Sequence, residues 1–208
     1  MPRQPASVKV ITAELAEELA AAYTDHAVYP GEVDVDGDGS RFPGWTTPVL
    51  VLATENQNVC TWGVPLNGDD DPPVIVGIHD GRRAETVEHA PDVDAYVAAR
   101  RWDRRCMSTV PLLQAQAEPV DAKSLAFLRE HYDELPATHG WPADDLYRFE
   151  RDGVRILLWA GADQCDWWIS GADGLADAVT ALLPYSNLRE ALWSNDEPGV
   201  ELVDRLTG

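Results

Sequence analysis

Three aspartates at alternating positions, Asp34, Asp36 and Asp38, run into Gly39, and that spacing is the opening of a calcium-binding loop. Such a loop also needs a bidentate carboxylate at its twelfth position, where this chain has Trp45. Arg41 stands where an apolar residue is usual, and Pro43 falls near the start of the exit helix. The run therefore reads as a solvated acidic turn. A second oxygen-rich stretch, "GDDDPP", places Asp69, Asp70 and Asp71 before Pro72 and Pro73. Consecutive side chains of an extended chain point in different directions, so one or two of these carboxylates at most would face a single ion. Pro72 and Pro73 stiffen the segment and keep the residue before them extended, which predicts a rigid acidic rim.

Other chemistry has less to stand on. The five histidines, His26, His79, His89, His131 and His139, form no H-x-x-x-H, H-E-x-x-H or Cys/His pattern at zinc-ligand spacing. His79 and Asp80 are adjacent, but neighbours at a strand end point apart, and turn chemistry accounts for "HDG". There is no G-x-S-x-G elbow, phosphate-binding glycine loop or dinucleotide fingerprint. Cys60, Cys106 and Cys165 are few, odd in number and widely spaced, as expected of reduced, buried thiols. The expectation is no catalytic residue, no metal and no cofactor.

Charge and aromatic content say more. Against 36 acidic side chains stand 16 basic ones, a formal charge of −20. Phosphate binding needs clustered Lys and Arg, so nucleic acid is not an expected partner; an anionic surface steers toward a basic one. Eight tryptophans are present, and Trp167 and Trp168 are neighbours on an expected strand. One must face the core and the other the opposite side. If Trp168 is the outward one, it is a natural binding anchor. No run approaches the length of a membrane span, and "MPRQPASVKVITAEL" lacks the apolar centre of a signal peptide, which predicts a cytoplasmic protein away from membranes.

These residues have to be carried by regular elements. "ITAELAEELAAAYTD" (11–25) has a helical apolar stripe. "VLVLAT" and "VCTWGV", joined by "ENQN", read as an antiparallel hairpin, "PPVIVGI" as a third strand, and a short strand follows through Val87. A helix opens near Asp92, with Arg100, Arg101, Arg104 and Arg105 at a solvated C-terminal end. "QAQAEPVDAK" (114–123) reads as a connector. Beyond it the pattern predicts a helix over "AKSLAFLREHYDEL", a hairpin turning at Asp152–Gly153, a strand at "QCDWWIS", a helix at "DGLADAVTALL" and a short last helix at "NLREALWS". The fold class is α+β: a single domain over residues 1–208 with a mostly antiparallel β-sheet flanked by helices, and a sub-lobe boundary near 114–123 as the alternative.

The segment from Ala53 to Val76 carries Glu55, Asn56, Gln57, Val59, Trp62, Gly63, Asp71, Pro72, Pro73 and Val74. An E-N-Q-x-V-x-x-W-G-V hairpin followed by D-P-P-V resembles the central hairpin of actinobacterial members of the SUKH superfamily. The later run from Gly153 to Leu183 is similar, more loosely, to that family's strand, strand, helix ending. The family's frequent N-terminal L-P-x-x-Y/F-x-x-F/L helix has no counterpart; Leu135–Pro136 occurs in the second half instead. The resemblance implies an α+β domain that binds and blocks a partner protein, an immunity protein against a basic, nuclease-like toxin. The expected contacts are then Asp34, Asp36, Asp38 and Asp69 to Asp71, with Trp168 as anchor. The alternative is a metal-dependent hydrolase or small-ligand-binding protein using the aspartate loops and exposed tryptophans. Oligomeric state and the partner's identity are left open by the sequence.

Overall fold

The computed structural model describes residues 26–27, 34–69 and 71–208; the helix expected over 11–25 and Asp70 lie outside them. The fold is α+β with antiparallel pairing, in two six-stranded sheets. The chain divides into two compact units, one reaching Arg104 and including Thr138–Trp141, the other formed by Arg105–Ala137 and Pro142–Gly208.

The first unit holds β1 (His26–Ala27), β2 (Val35–Asp36), β3 (Val49–Thr54), β4 (Cys60–Pro65), β5 (Val74–His79), β6 (Ala84–Ala90) and most of α1 (Val93–Ser108). The order is β1-β3-β4-β5-β6, with β2 also on β3. The β3–β4 hairpin closes on ENQN as its residues demand. Asn58 takes the left-handed conformation (φ 58°) that asparagine tolerates, its N–H donating to Glu55 O at 2.9 Å. Glu55 Oε2 accepts from the Gln57 N–H at 2.7 Å and fixes the corner.

Both faces of this sheet are buried, which explains the unbroken apolar run Val49 to Ala53. Leu50, Leu52, Trp62, Val64 and Val76 pack with Tyr96 and Val97 of α1. On the other face Val49, Val51 and Ile75 surround Phe42, which is fully buried. Gly63 and Gly77 clear the seat for the loop that carries Phe42. A Cβ on Gly63 would stand 2.8 Å from the Phe42 ring, and one on Gly77 would collide with the Arg41 carbonyl.

The second unit holds β7 (Leu112–Ala117), α2 (Ala122–His131), most of β8 (Asp133–His139), β9 (Asp145–Arg151), β10 (Val154–Ala160), β11 (Cys165–Ser170), α3 (Leu175–Leu182), α4 (Leu188–Ala191), β12 (Leu192–Trp193) and α5 (Glu197–Thr207). Its order is β12-β7-β11-β10-β9-β8. The β9–β10 hairpin turns at Asp152 (φ 50°) and Gly153 (φ 81°), two consecutive positive φ values of the kind that match strand twist. One face carries Leu113, Phe149, Ile156, Leu158, Trp167 and Ile169 against α2, α3 and α5, through Leu128, Val179 and Leu202.

Four expectations are corrected. Residues 114–117 of the expected connector are the inner part of β7, because pairing with β11 and β12 overrides the poor strand propensity of Gln and Ala. The helix expected to run to Leu135 stops at His131: Tyr132 is extended (φ −133°), and Pro136 sits in β8. "NLREALWS" is not the last helix. Its helical part ends at Ala191, and α5 follows, capped by Asp196, whose carboxylate accepts from the Gly199 N–H at 2.8 Å. Finally, Arg100 belongs to no solvated helix end. It is 2% exposed, its guanidinium 5.0 Å from the Trp62 ring centre and 5.6 Å from that of Tyr96.

Candidate functional site

The first acidic loop is wired to itself. Asp34 forms a two-pronged ion pair with Arg41, one arm at 2.7 Å from Nη2 and the other from Nη1. The Arg41 guanidinium holds the Asp34 carboxyl below the usual carboxylate range. Asp36 is 3% exposed, and its oxygens accept from Ser40 Oγ (3.3 Å) and the Arg41 N–H (3.1 Å). It presents no carboxylate to the surface. Asp38 accepts from the Ser40 N–H at 3.1 Å, and the hydrogen bonds from Ser40 lower its pKa. The three carboxylates thus cap their own turn. Asp34 and Asp38 keep exposed edges.

The second acidic run is a rim. Asp69 and Asn67 close a small turn on each other, and Asp69 and Asp71 are exposed while Pro72 is buried beneath them. Glu55, Asn56 and Gln57 form the hairpin corner, and Trp62 and Gly63 are core residues with structural duties. Asp80 accepts from the Arg82 and Arg83 N–H groups, both at 2.9 Å, which lower its pKa, so "HDG" is a turn.

Trp167 and Trp168 divide as the strand period requires. Trp167 is fully buried in the second core, and Trp168 lies partly buried on the opposite face. Its ring centre is 4.0 Å from that of Trp159. In register, Trp168 pairs with Gln114 of β7, which in turn pairs with Trp193 of β12. Directly opposed residues share a face, so Trp168, Gln114 and Trp193 form one row. Trp193, 44% exposed, is the most exposed tryptophan among the described residues. Two positions before Trp168, and so on the same face, is Asp166, flanked by Gln116 on β7 and Trp159 on β10. Desolvation raises the Asp166 pKa, only partly offset by hydrogen bonds from the Gln116 and Gln164 amides.

The sequence reading missed Asp166 and Trp193. Asp166 was recoverable from the i, i+2 spacing in "CDWWIS", which puts it beside Trp168. Trp193 had no such signal, because its place depends on a two-residue strand that forms only against β7.

All three cysteines are buried; burial pushes the Cys165 thiol up to about 12 and the Cys60 thiol higher still, away from a reactive thiolate. Among the described residues no group of three His, Cys, Asp or Glu side chains is placed to hold a metal ion. A cavity of about 250 Å³ beside α2 and α3 is bordered by His131, Tyr132 and Arg151. Arg151 is engaged there with the His131 carbonyl at 2.7 Å, and His131 stacks on Phe127 at 4.2 Å. No helix among the described residues is long and apolar enough to cross a membrane. No family model, curated protein or solved structure matches the chain.

Proposed function

We propose that this is a non-enzymatic protein-binding domain of SUKH-like type, acting in the cytoplasm as an immunity protein that binds and masks a basic, nuclease-like toxin. The observation that carries the reading is a charge of −20 on a chain whose exposed large apolar side chains, among the described residues, are few: Val35, Val110, Trp193 and Val200. Such a surface attracts a cationic partner over a distance and offers a small number of apolar anchors on contact. The E-N-Q-x-V-x-x-W-G-V hairpin supports the same reading, since its residues have structural duties and no chemistry.

The test is a pull-down on the immobilised protein from lysate of the source cell, washed at stepped salt. A basic protein retained at low salt and released at high salt is expected. The purified partner should then lose its activity when this protein is added back at equal concentration. Retention without loss of activity would remove the immunity role, and no salt-sensitive partner would remove the reading.

A further inference from the structure

The geometry points to the Asp166–Trp168–Trp193 face of the second sheet as a binding site for an arginine side chain of the partner, with the guanidinium stacked on indole and paired to the carboxylate. This deepens the protein-binding reading and rests on it.

The argument begins with strand geometry. Asp166 and Trp168 are two residues apart on β11, so their side chains leave the same face about 7 Å apart. Trp193 lies two strands over through Gln114, about 10 Å from Trp168. Trp159 stands behind Trp168 at 4.0 Å between ring centres and steadies that ring. The result is an aromatic floor with a carboxylate at one end and an exposed indole at the other.

The carboxylate is the informative part. Asp34 has Arg41, Glu134 has Arg129 and Glu150 has Arg155. Asp166 has instead two neutral amides, with the Gln164 Nε2 donor at 3.5 Å from each oxygen. It is half-buried between Trp159 and Gln116 and held by neutral amides, an arrangement that a bound cation relieves. Among cations the planar guanidinium fits best. It stacks on an indole face and meets a carboxylate with two parallel N–H groups, whereas an ammonium is a compact point charge. A neutral sugar would use the same rings but leave the carboxylate without a counter-charge. An anionic ligand would be repelled by it.

The test uses the whole protein and reads the indole N–H signals in two-dimensional NMR, with Trp168 and Trp193 assigned from Trp168→Phe and Trp193→Phe variants. The probes are N-acetyl-arginine amide, its neutral isostere N-acetyl-citrulline amide, and methyl glucoside. The arginine probe should move the Trp168 and Trp193 signals saturably, with a dissociation constant on the order of 10 mM for one side chain. Asp166→Asn should weaken it by about ten-fold or more while leaving the indole pattern folded. The citrulline probe should bind at least about ten-fold more weakly than the arginine probe. Equal binding of citrulline, preferential binding of the glucoside, or no movement of the Trp168 signal would each overturn the assignment.

The pull-down repeated with Asp166→Asn and with Trp168→Phe separates this inference from the reading beneath it. Undiminished capture by both variants would leave the protein-binding function standing and move its contact site elsewhere.

Discussion

Two parts of the molecule treat acid in opposite ways. The loop from Asp34 to Arg41 takes up its own charge. Asp34 is paired, Asp36 is turned inward, and Asp38 caps the turn. The face around Asp166 sets one carboxylate between Trp159 and Gln116 and meets it with neutral amides. Counting aspartates selects the first region, and asking which carboxylate has its pKa raised by burial selects the second. A cluster of like charges is often a folding device, because a tight turn has several N–H groups to satisfy and short acidic side chains do it well.

The comparison is broken most severely by removing what seats the loop. Phe42→Ala should cost about 3–5 kcal/mol in chemical denaturation, since it empties a buried site bounded by Val49, Val51 and Ile75. Gly77→Ala should cost about 1–3 kcal/mol or more by forcing the Arg41 carbonyl off the sheet. If both variants were as stable as the parent, the loop would not be docked and its aspartates would be free to bind. Next, Asp36→Ala should cost roughly 1–3 kcal/mol because it strips the Arg41 N–H of its acceptor.

Arg41→Ala is a gentler probe, expected to change stability by less than about 1 kcal/mol because the pair is partly exposed. Its signature is in titration. The folded-state pKa of Asp34 lies below the ordinary aspartate value, so the stabilisation is present above that value and lost as pH falls through the lower folded one. Without Arg41 the Asp34 carboxyl should titrate nearer its ordinary range in carboxyl-detected NMR, and that part of the acid-limb loss should vanish. Millimolar calcium should leave the thermal midpoint unchanged, because the oxygens of Asp34 and Asp36 are already committed; a clear rise would restore the metal reading. Smallest of all, Asp69→Lys with Asp71→Lys should shift stability within about 0.5 kcal/mol. The same pair should slow association with a basic partner and flatten its salt dependence, measured by stopped flow.

Much of the fold was legible because local chemistry and tertiary need agree. ENQN and Asp152–Gly153 are turn sequences in turns, and Asp92 heads α1 with its carboxylate accepting from the Ala95 N–H at 2.6 Å. Where the two conflict, the sequence misleads. "LLQAQA" has no strand propensity to advertise and becomes a strand because β11 lies beside it. The proline that ends the helix reading was in view at Pro136, as were the Asp196 cap and Pro198 that start α5. The site was less legible than the fold. Trp168 was found by strand alternation, whereas the self-pairing of Asp34 with Arg41 depends on a loop path fixed by Phe42 and two distant glycines.

The borders of the second sheet limit how anything can attach to it. At one side β8 reads "DELPATH", with Asp133 and Glu134 at its start and Pro136, which has no N–H to offer, at its centre. At the other side β12 has only two residues before the chain turns into the Asp196 cap. Neither margin offers an incoming strand a useful length of pairing, so the sheet is guarded at both borders against growing into end-to-end fibres.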